Sequence, residues 1–437
     1  VTVAGTPGPA SPPGGAGDPA GSPDPAAPID PTLIPPGLRA MDLEALAEEY
    51  GTPLVVYDEG ELRARCARFV AAFGPDRVAY AAKAFLCGAM TRLVHEEGLH
   101  LDVATGGELF AALHAGFPPE RVIVHGNNKS ELELLDARDA GVGRIVVDAF
   151  DELDRIELLG VRAPLLVRVT PGVEAHTHAH IETGTEASKF GFSVRAGHAL
   201  DAVRRVVEAG LPWRGLHCHI GSQVLRVDAY RRAAEVMAEL AAEVEATLGV
   251  PVDELNLGGG FGVRYLTGDA ELTPEEVAPV LAEAAGKRAV MVEPGRAVAG
   301  PAALTLYRVG VVKEVPGAGV FVAVDGGMSD NPRPVLYGAR YEAYLPARAG
   351  EARPVRCRVV GKHCEQGDVL VADGRLPAGV RVGDLLAVPA TGAYAYSMAS
   401  NYNKVPRPAV VFVRDGFARL VVRRETPEDL VRLDTYD

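Results

Sequence analysis

The feature that most constrains this chain is a rhythm. Eight short runs rich in β-branched residues recur, at 77–83 (RVAYAAK), 100–105 (HLDVAT), 121–126 (RVIVHG), 144–149 (RIVVDA), 164–169 (PLLVRV), 215–221 (GLHCHIG), 254–260 (ELNLGGG) and 289–295 (AVMVEPG). Stretches rich in Ala, Leu and Glu separate them, as at 199–209 and 230–248. Such runs read as buried strands and such spacers as helices. Eight strand–helix units over about 240 residues is the arithmetic of a (β/α)8 barrel. A doubly wound open sheet would also alternate, but usually with fewer strands.

After Gly300 the rhythm breaks. Candidate strands at 304–315, 320–325, 355–360, 369–372, 385–388 and 410–423 follow without helices between them. The last is a hairpin turning at Arg414-Asp415-Gly416, where Asp-Gly is a turn signal. The α/β barrel, residues 59–300, is therefore expected to carry a C-terminal all-β domain. A short helix over 41–50, opening at Asp42, and a strand over 53–58 precede the barrel; residues 38–58 are assigned with 301–437 to the β domain. The first 37 residues hold 11 of the 33 prolines and no Lys or Arg. They lack the apolar surface that would offset the entropy of ordering them, so 1–37 is expected to be a disordered tail.

Charge and cysteine content narrow the function. Lys and Arg number 44 against 58 Asp and Glu, a net charge of −14. That argues against nucleic acid or an anionic membrane as partner. No uncharged apolar run approaches the ~18 residues of a membrane span, and no basic segment leads into an apolar one at the start. The five cysteines, Cys66, Cys87, Cys218, Cys357 and Cys364, form no CxxC, which fits free thiols in a reducing compartment. A cytoplasmic protein is expected.

In such barrels the active site lies at the C-terminal ends of the strands. The ends here carry Lys83, Asp102, His125, Arg168, His217-Cys218-His219 leading to Ser222, Gly258-Gly259-Gly260, and Glu293-Pro294-Gly295-Arg296. A packed barrel needs few polar groups there, so together they mark a site. Lys83 follows an apolar run. Burial there would lower its pKa and favour a Schiff base, although a lysine leaving a strand for solvent is the commoner case. The three glycines and Gly295-Arg296 follow strands seven and eight, where barrels commonly hold phosphate, although a plain tight turn reads the same way. His217 and His219 share one strand face and invite a metal reading, with His176, His178 and His180 nearby in sequence. Metal-dependent amidohydrolases place such a pair on the first strand, where this chain has Lys83; no metal is expected. Glu293, buried in the barrel mouth, needs a partner, which Arg296 or a pyridinium N–H would supply. In the β domain, Arg333 with Tyr337 forms a natural carboxylate clamp, Cys364-Glu365 pairs a thiol with an acid, and a small-residue turn presents Tyr394.

The motifs YAAKAF, DVATGGEL, SKFGF, HCHIGSQ, LGGGFG, EPGR, VDGGMSDNPRPVLYGA, HCEQGD and GAYAYSMASNYN, in that order, resemble those of the pyridoxal-phosphate-dependent diaminopimelate decarboxylases, most closely the actinobacterial type. The likeness spans about Leu38 to Leu430. It implies the alanine racemase-like fold (fold type III), a PLP-binding barrel plus a β domain. It also implies decarboxylation of meso-2,6-diaminopimelate to L-lysine, the last step of lysine biosynthesis by that route. By resemblance, Lys83 would carry pyridoxal 5'-phosphate as a Schiff base and His219 would stack on its ring. Ser222, Gly258, Gly259, Gly260, Gly295, Arg296 and Tyr394 would hold its phosphate, and Glu293 would meet the ring nitrogen. Racemases of this fold carry an arginine in that place, which withdraws electrons less strongly. Arg296, Arg333 and Tyr337 would bind the substrate's distal carboxylate and Glu365 its distal ammonium, and Tyr394 would also contact the substrate. Cys364 would act at the α-carbon. Cys364 and Glu365 would come from the second subunit of a homodimer. Gln366 stands where the family usually has Ser. The rival readings are a decarboxylase of the same fold acting on another basic or dicarboxylic amino acid, a silent PLP-binding homologue, and a metal hydrolase.

Overall fold

The computed structural model describes residues 26–173 and 188–435; His176, His178 and His180 lie outside them. The chain enters through β1 (Leu54–Asp58). The barrel strands follow: β2 (Ala79–Ala81), β3 (His100–Val103), β4 (Val122–Val124), β5 (Arg144–Val147) and β6 (Leu165–Thr170). After a two-residue strand β7 (Phe192–Ser193) come β8 (Trp213–His217), β9 (Glu254–Asn256) and β10 (Ala289–Met291). Apart from β7, which pairs only with β6, they form one parallel sheet in the order β10-β9-β8-β6-β5-β4-β3-β2. A parallel bridge from Val78 to Val292 joins its two ends, and Ala79 N–H donates to Val292 O at 2.9 Å. The eight expected strands therefore close into a barrel; β7 was not anticipated.

Strand alternation divides the barrel into layers. Leu101, Val103, Val124, Val167, Leu216, Leu255 and Val292 belong to the main apolar core. Their neighbours in sequence face the barrel axis. Ala79, Ile123, Val146, Leu166 and Met291 form a small buried plug inside it. Two residues further along the same strands come His125, Asp148, Arg168 and Glu293, and period two keeps them on the inner face. An apolar floor thus carries a polar upper layer. Each large apolar side chain of the floor contributes about 1.5–3 kcal/mol by burial.

The β domain contains β11 (Ala303–Val315), β12 (Gly319–Val324), β13 (Val355–Val360), β14 (Val369–Leu376), β15 (Leu385–Pro389), β16 (Ala409–Arg414) and β17 (Phe417–Val422). Its order is β14-β13-β12-β11-β1-β16-β17, with β15 also on β11. The strand β1, which precedes the barrel, sits antiparallel to β11 and parallel to β16. The last hairpin turns through Asp415 and Gly416, both at positive φ, as its Asp-Gly pair requires. The helix Leu43–Tyr50 is capped by the Asp42 carboxylate, which accepts from Ala45 N–H at 3.0 Å.

The expected tail differs in its last part. Residues 1–25 lie outside the described ones, but Ile29, Leu33 and Ile34 are buried with Leu54, Leu304 and Val411. The prolines at 31, 35 and 36 start two 3-10 turns, where a missing N–H costs nothing. Among the described residues, no helix is long and apolar enough to cross a membrane.

Candidate active site

A cavity of about 260 Å³ opens at the C-terminal ends of the barrel strands. Its wall includes Lys83, His219, Ser222, Gly259, Gly260, Glu293, Gly295, Arg296, Arg333, Tyr337 and Tyr394. Residues some 300 positions apart in the sequence therefore converge. Gly258 is buried and does not line the cavity. Cys364 and Glu365 are not part of it; both are exposed.

Lys83 lies in the 3-10 turn Ala82–Ala84 that follows β2. Its side chain is exposed to the cavity, deep among the strand ends. Burial pulls its pKa down, but Asp102, Tyr394 and Glu293 pull it up further, and the net direction is upward. This corrects the expectation that burial would lower it. The Lys83 amine is therefore favoured in its protonated form.

Glu293 also differs from expectation. Its partner is not Arg296. Its Oε1 is 3.0 Å from His125 Nε2 and accepts from Asn256 Nδ2 at 2.7 Å, while Oε2 is 3.0 Å from His217 Nε2. Burial alone would raise the carboxyl, but the two imidazoles more than offset it, and its pKa lies well below the ordinary carboxylate range. Burial pushes His217 down to about 4, so His217 is a neutral donor. His125, His217 and Glu293 offer ligand atoms within 4.8 Å of one another. Separations of 3.0 Å between imidazole nitrogen and carboxylate are hydrogen bonds. The pair suggested by the sequence, His217 with His219, is not the cluster that forms. His219 instead accepts from Gly259 N–H at 3.2 Å. Burial, then Lys83 and Arg168, push its pKa well below the usual value, so its ring is neutral.

The glycine turn is tight. A Cβ on Gly259 would collide with Glu293 O, and one on Gly260, at φ +100°, with Gly221 O. Arg296 opens a short helix, Arg296–Ala299. Its guanidinium donates to Ser222 Oγ at 2.8 Å and to Tyr265 Oη at 2.5 Å. Arg333 donates to the same Tyr265 hydroxyl at 2.9 Å and to Tyr341 Oη. Burial would raise the Tyr265 phenol, but the two arginines reverse that and its pKa is lowered. The β domain supplies Arg333 and Tyr337 from the helix Arg333–Tyr337. It also supplies Tyr394, whose N–H donates to Ala84 O at 2.9 Å and whose ring lies 4.9 Å from the Arg296 guanidinium.

Sequence reasoning noted Asp102, His125 and Arg168 as polar strand ends without giving them roles. It missed Asn256, Tyr265 and Tyr341. Asn256 carried a signal: a polar residue between two leucines, Leu255 and Leu257, within a run expected to be a buried strand. Tyr265, beyond the glycine run, carried none.

A family model described as "Pyridoxal-dependent decarboxylase, pyridoxal binding domain" matches residues 59–300. The chain is 49% identical over 420 residues to a diaminopimelate decarboxylase of Mycobacterium tuberculosis, covering 91% of this chain and 94% of that protein. It is 52% identical over 398 residues to that of Actinosynnema pretiosum, covering 89% and 90%. The crystal structure of the M. jannaschii diaminopimelate decarboxylase in complex with L-lysine superposes with a TM-score of 0.84 at 31% identity, covering 91% of this chain and 95% of that one. With an amine, a buried carboxylate and two arginines gathered at the mouth of a matching barrel, the chain belongs to the pyridoxal-dependent decarboxylases, in the diaminopimelate decarboxylase group.

Proposed function

We propose that this chain converts meso-2,6-diaminopimelate to L-lysine and CO2 with pyridoxal 5'-phosphate as cofactor. The observation that carries this is a single cavity holding Lys83 and Glu293 together with Arg296 and Arg333. The residues fit the cofactor. The turns at Gly259, Gly260 and Gly295 bring bare backbone to the cavity and are packed too tightly against Glu293, Gly221 and Ala81 to admit a side chain, and Ser222 with Arg296 adds anion donors beside them. Lys83 would be the amine for its aldehyde, the neutral His219 ring a flat neighbour, and Glu293 the acceptor for its ring nitrogen. When bound, the cofactor supplies a conjugated electron sink for the pair left as CO2 departs.

The protein's own groups do the rest. An anionic Glu293 would keep a proton at the ring nitrogen. Arg296 and Arg333, joined through Tyr265, bind the substrate's distal carboxylate with Tyr337. The proton that replaces CO2 on the α-carbon comes from Cys364 Sγ of the partner subunit in a homodimer, and Glu365 of the partner subunit holds the distal ammonium. Two observations support this sharing. The tip at 364–367 is exposed yet braced: Asp368 accepts from Met328 N–H at 2.6 Å and His363 N–H at 2.8 Å. Val335, Leu336 and Tyr337 also leave apolar surface open beside the cavity, of the kind that marks interfaces.

Purified protein should form lysine from meso-diaminopimelate only with PLP, and Lys83→Ala should abolish it. A polar pocket of this kind rejects analogues lacking a partner group by roughly 10⁴–10⁵, so L-lysine and L-ornithine should be poor substrates. Comparable turnover of L-ornithine would overturn the assignment and favour a sister decarboxylase.

A further inference from the structure

Glu293 is held more completely than a cofactor contact alone requires. Its carboxylate receives three donors from three strands. His125 follows β4, His217 ends β8 and Asn256 ends β9. Asn256 Oδ1 accepts from Gly258 N–H at 2.9 Å, which settles its amide orientation and turns Nδ2 onto Glu293. The same side chain thereby ties the glycine turn to the carboxylate. His217 Nδ1 is buried with no hydrogen-bond partner. Nε2 faces a carboxylate oxygen that can only accept, so the neutral ring carries its one proton on Nε2. The charged groups around the cluster are Asp102, 3.6 Å from His125 Nε2, with Lys83 and Arg168 across the cavity.

A carboxylate has about four acceptor positions. Two donors occupy Oε1 and one occupies Oε2, which leaves one position on Oε2, and Glu293 lines the cavity. We propose that His125, His217 and Asn256 are positioning residues that fix the Glu293 carboxylate as an anion and leave it one acceptor position, for a protonated ring nitrogen. This rests on the cofactor assignment above and deepens it. The protonation state of the ring nitrogen is then set through Glu293 by the groups that donate to it.

The test uses holoenzyme loaded with cofactor labelled with nitrogen-15 at the ring. The variants are His125→Leu, His217→Leu and Asn256→Leu, each paired with a form that keeps a donor near the lost nitrogen: His125→Gln, His217→Gln and, for Asn256, Ser. The readouts are the ring-nitrogen resonance, the visible absorption band of the bound cofactor, and kcat against KM. Loss of one donor to a charged acceptor is expected to lower kcat by about tenfold to a hundredfold with little change in KM. The resonance should move toward the unprotonated position, and His217→Gln should restore both. Leucine variants with unaltered resonance and kcat would overturn the proposal, as would glutamine variants that fall as far as leucine. Glu293→Gln separates the two levels. If it too leaves the resonance unaltered, the placement of the ring nitrogen at Glu293 is wrong and the proposal falls with it. If it moves the resonance while the leucine variants do not, only the positioning role is wrong.

Discussion

Gly260→Ala tests whether the turn after β9 is built for close backbone approach. Gly260 has φ +100°, and a side chain there strains the backbone by about 1–3 kcal/mol. The added Cβ would also meet Gly221 O and stand 3.3 Å from Tyr230 Oη. Neither neighbour yields easily: Gly221 offers backbone, and the buried Tyr230 donates its hydroxyl to Gly259 O at 2.8 Å. Overpacking of this kind adds about 1–3 kcal/mol. The total, about 2–6 kcal/mol, must appear in one of two places. If the turn keeps its path, the apoprotein loses that much stability. If it relaxes, PLP must restore the turn on binding, and 2 kcal/mol is about a thirtyfold loss of affinity. Denaturant unfolding of the apoprotein and PLP titration of the same variant measure both. Losses that sum to less than about 0.5 kcal/mol, the scatter of a neutral surface substitution, would refute the reasoning.

Other predictions concern the clamp, the dimer and pH. Tyr265→Phe removes the acceptor shared by Arg296 and Arg333; KM for diaminopimelate should rise about tenfold with a much smaller change in kcat, since a charged hydrogen bond contributes about 1.5–3 kcal/mol. An unchanged KM would show that the two arginines hold their places without it. Lys83→Ala and Cys364→Ala should each be inactive, yet equal mixing under subunit exchange should recover about a quarter of wild-type activity, because half the dimers then carry one intact site. Mixed dimers without activity would mean that each chain uses its own Cys364. Burial, then Arg144 and Arg121, push His100 down to about 4 from 6.5. The unfolded chain therefore binds more protons than the native one between about pH 4 and 6.5, and stability should fall on acidification through that window, by about 3 kcal/mol for this group. His100→Gln should flatten the slope of urea midpoint against pH, leaving the part due to His217; a slope as steep as wild type would count against the assignment.

The local pattern of the chain settled the barrel, the face of each strand and the end at which chemistry collects. Period two and the alternation of strand with helix are written in neighbouring residues. Lys83, the glycine run, Glu293 and Arg333 were legible because they stand at strand ends or in short motifs. The strand at Leu54–Asp58 was legible, but its place between β11 and β16 came from pairings across some 250 and 350 residues. The tail boundary was misplaced because composition cannot show that Ile29, Leu33 and Ile34 meet an apolar face built from the far end of the chain. Only tertiary structure chose the partners of Glu293, which lie 37, 76 and 168 residues away. Barrel closure brings those strand ends together, and no local spacing encodes which of them meet. It also decided the sign of the Lys83 shift, because burial and neighbouring carboxylates oppose each other and their balance depends on distances that the sequence does not contain.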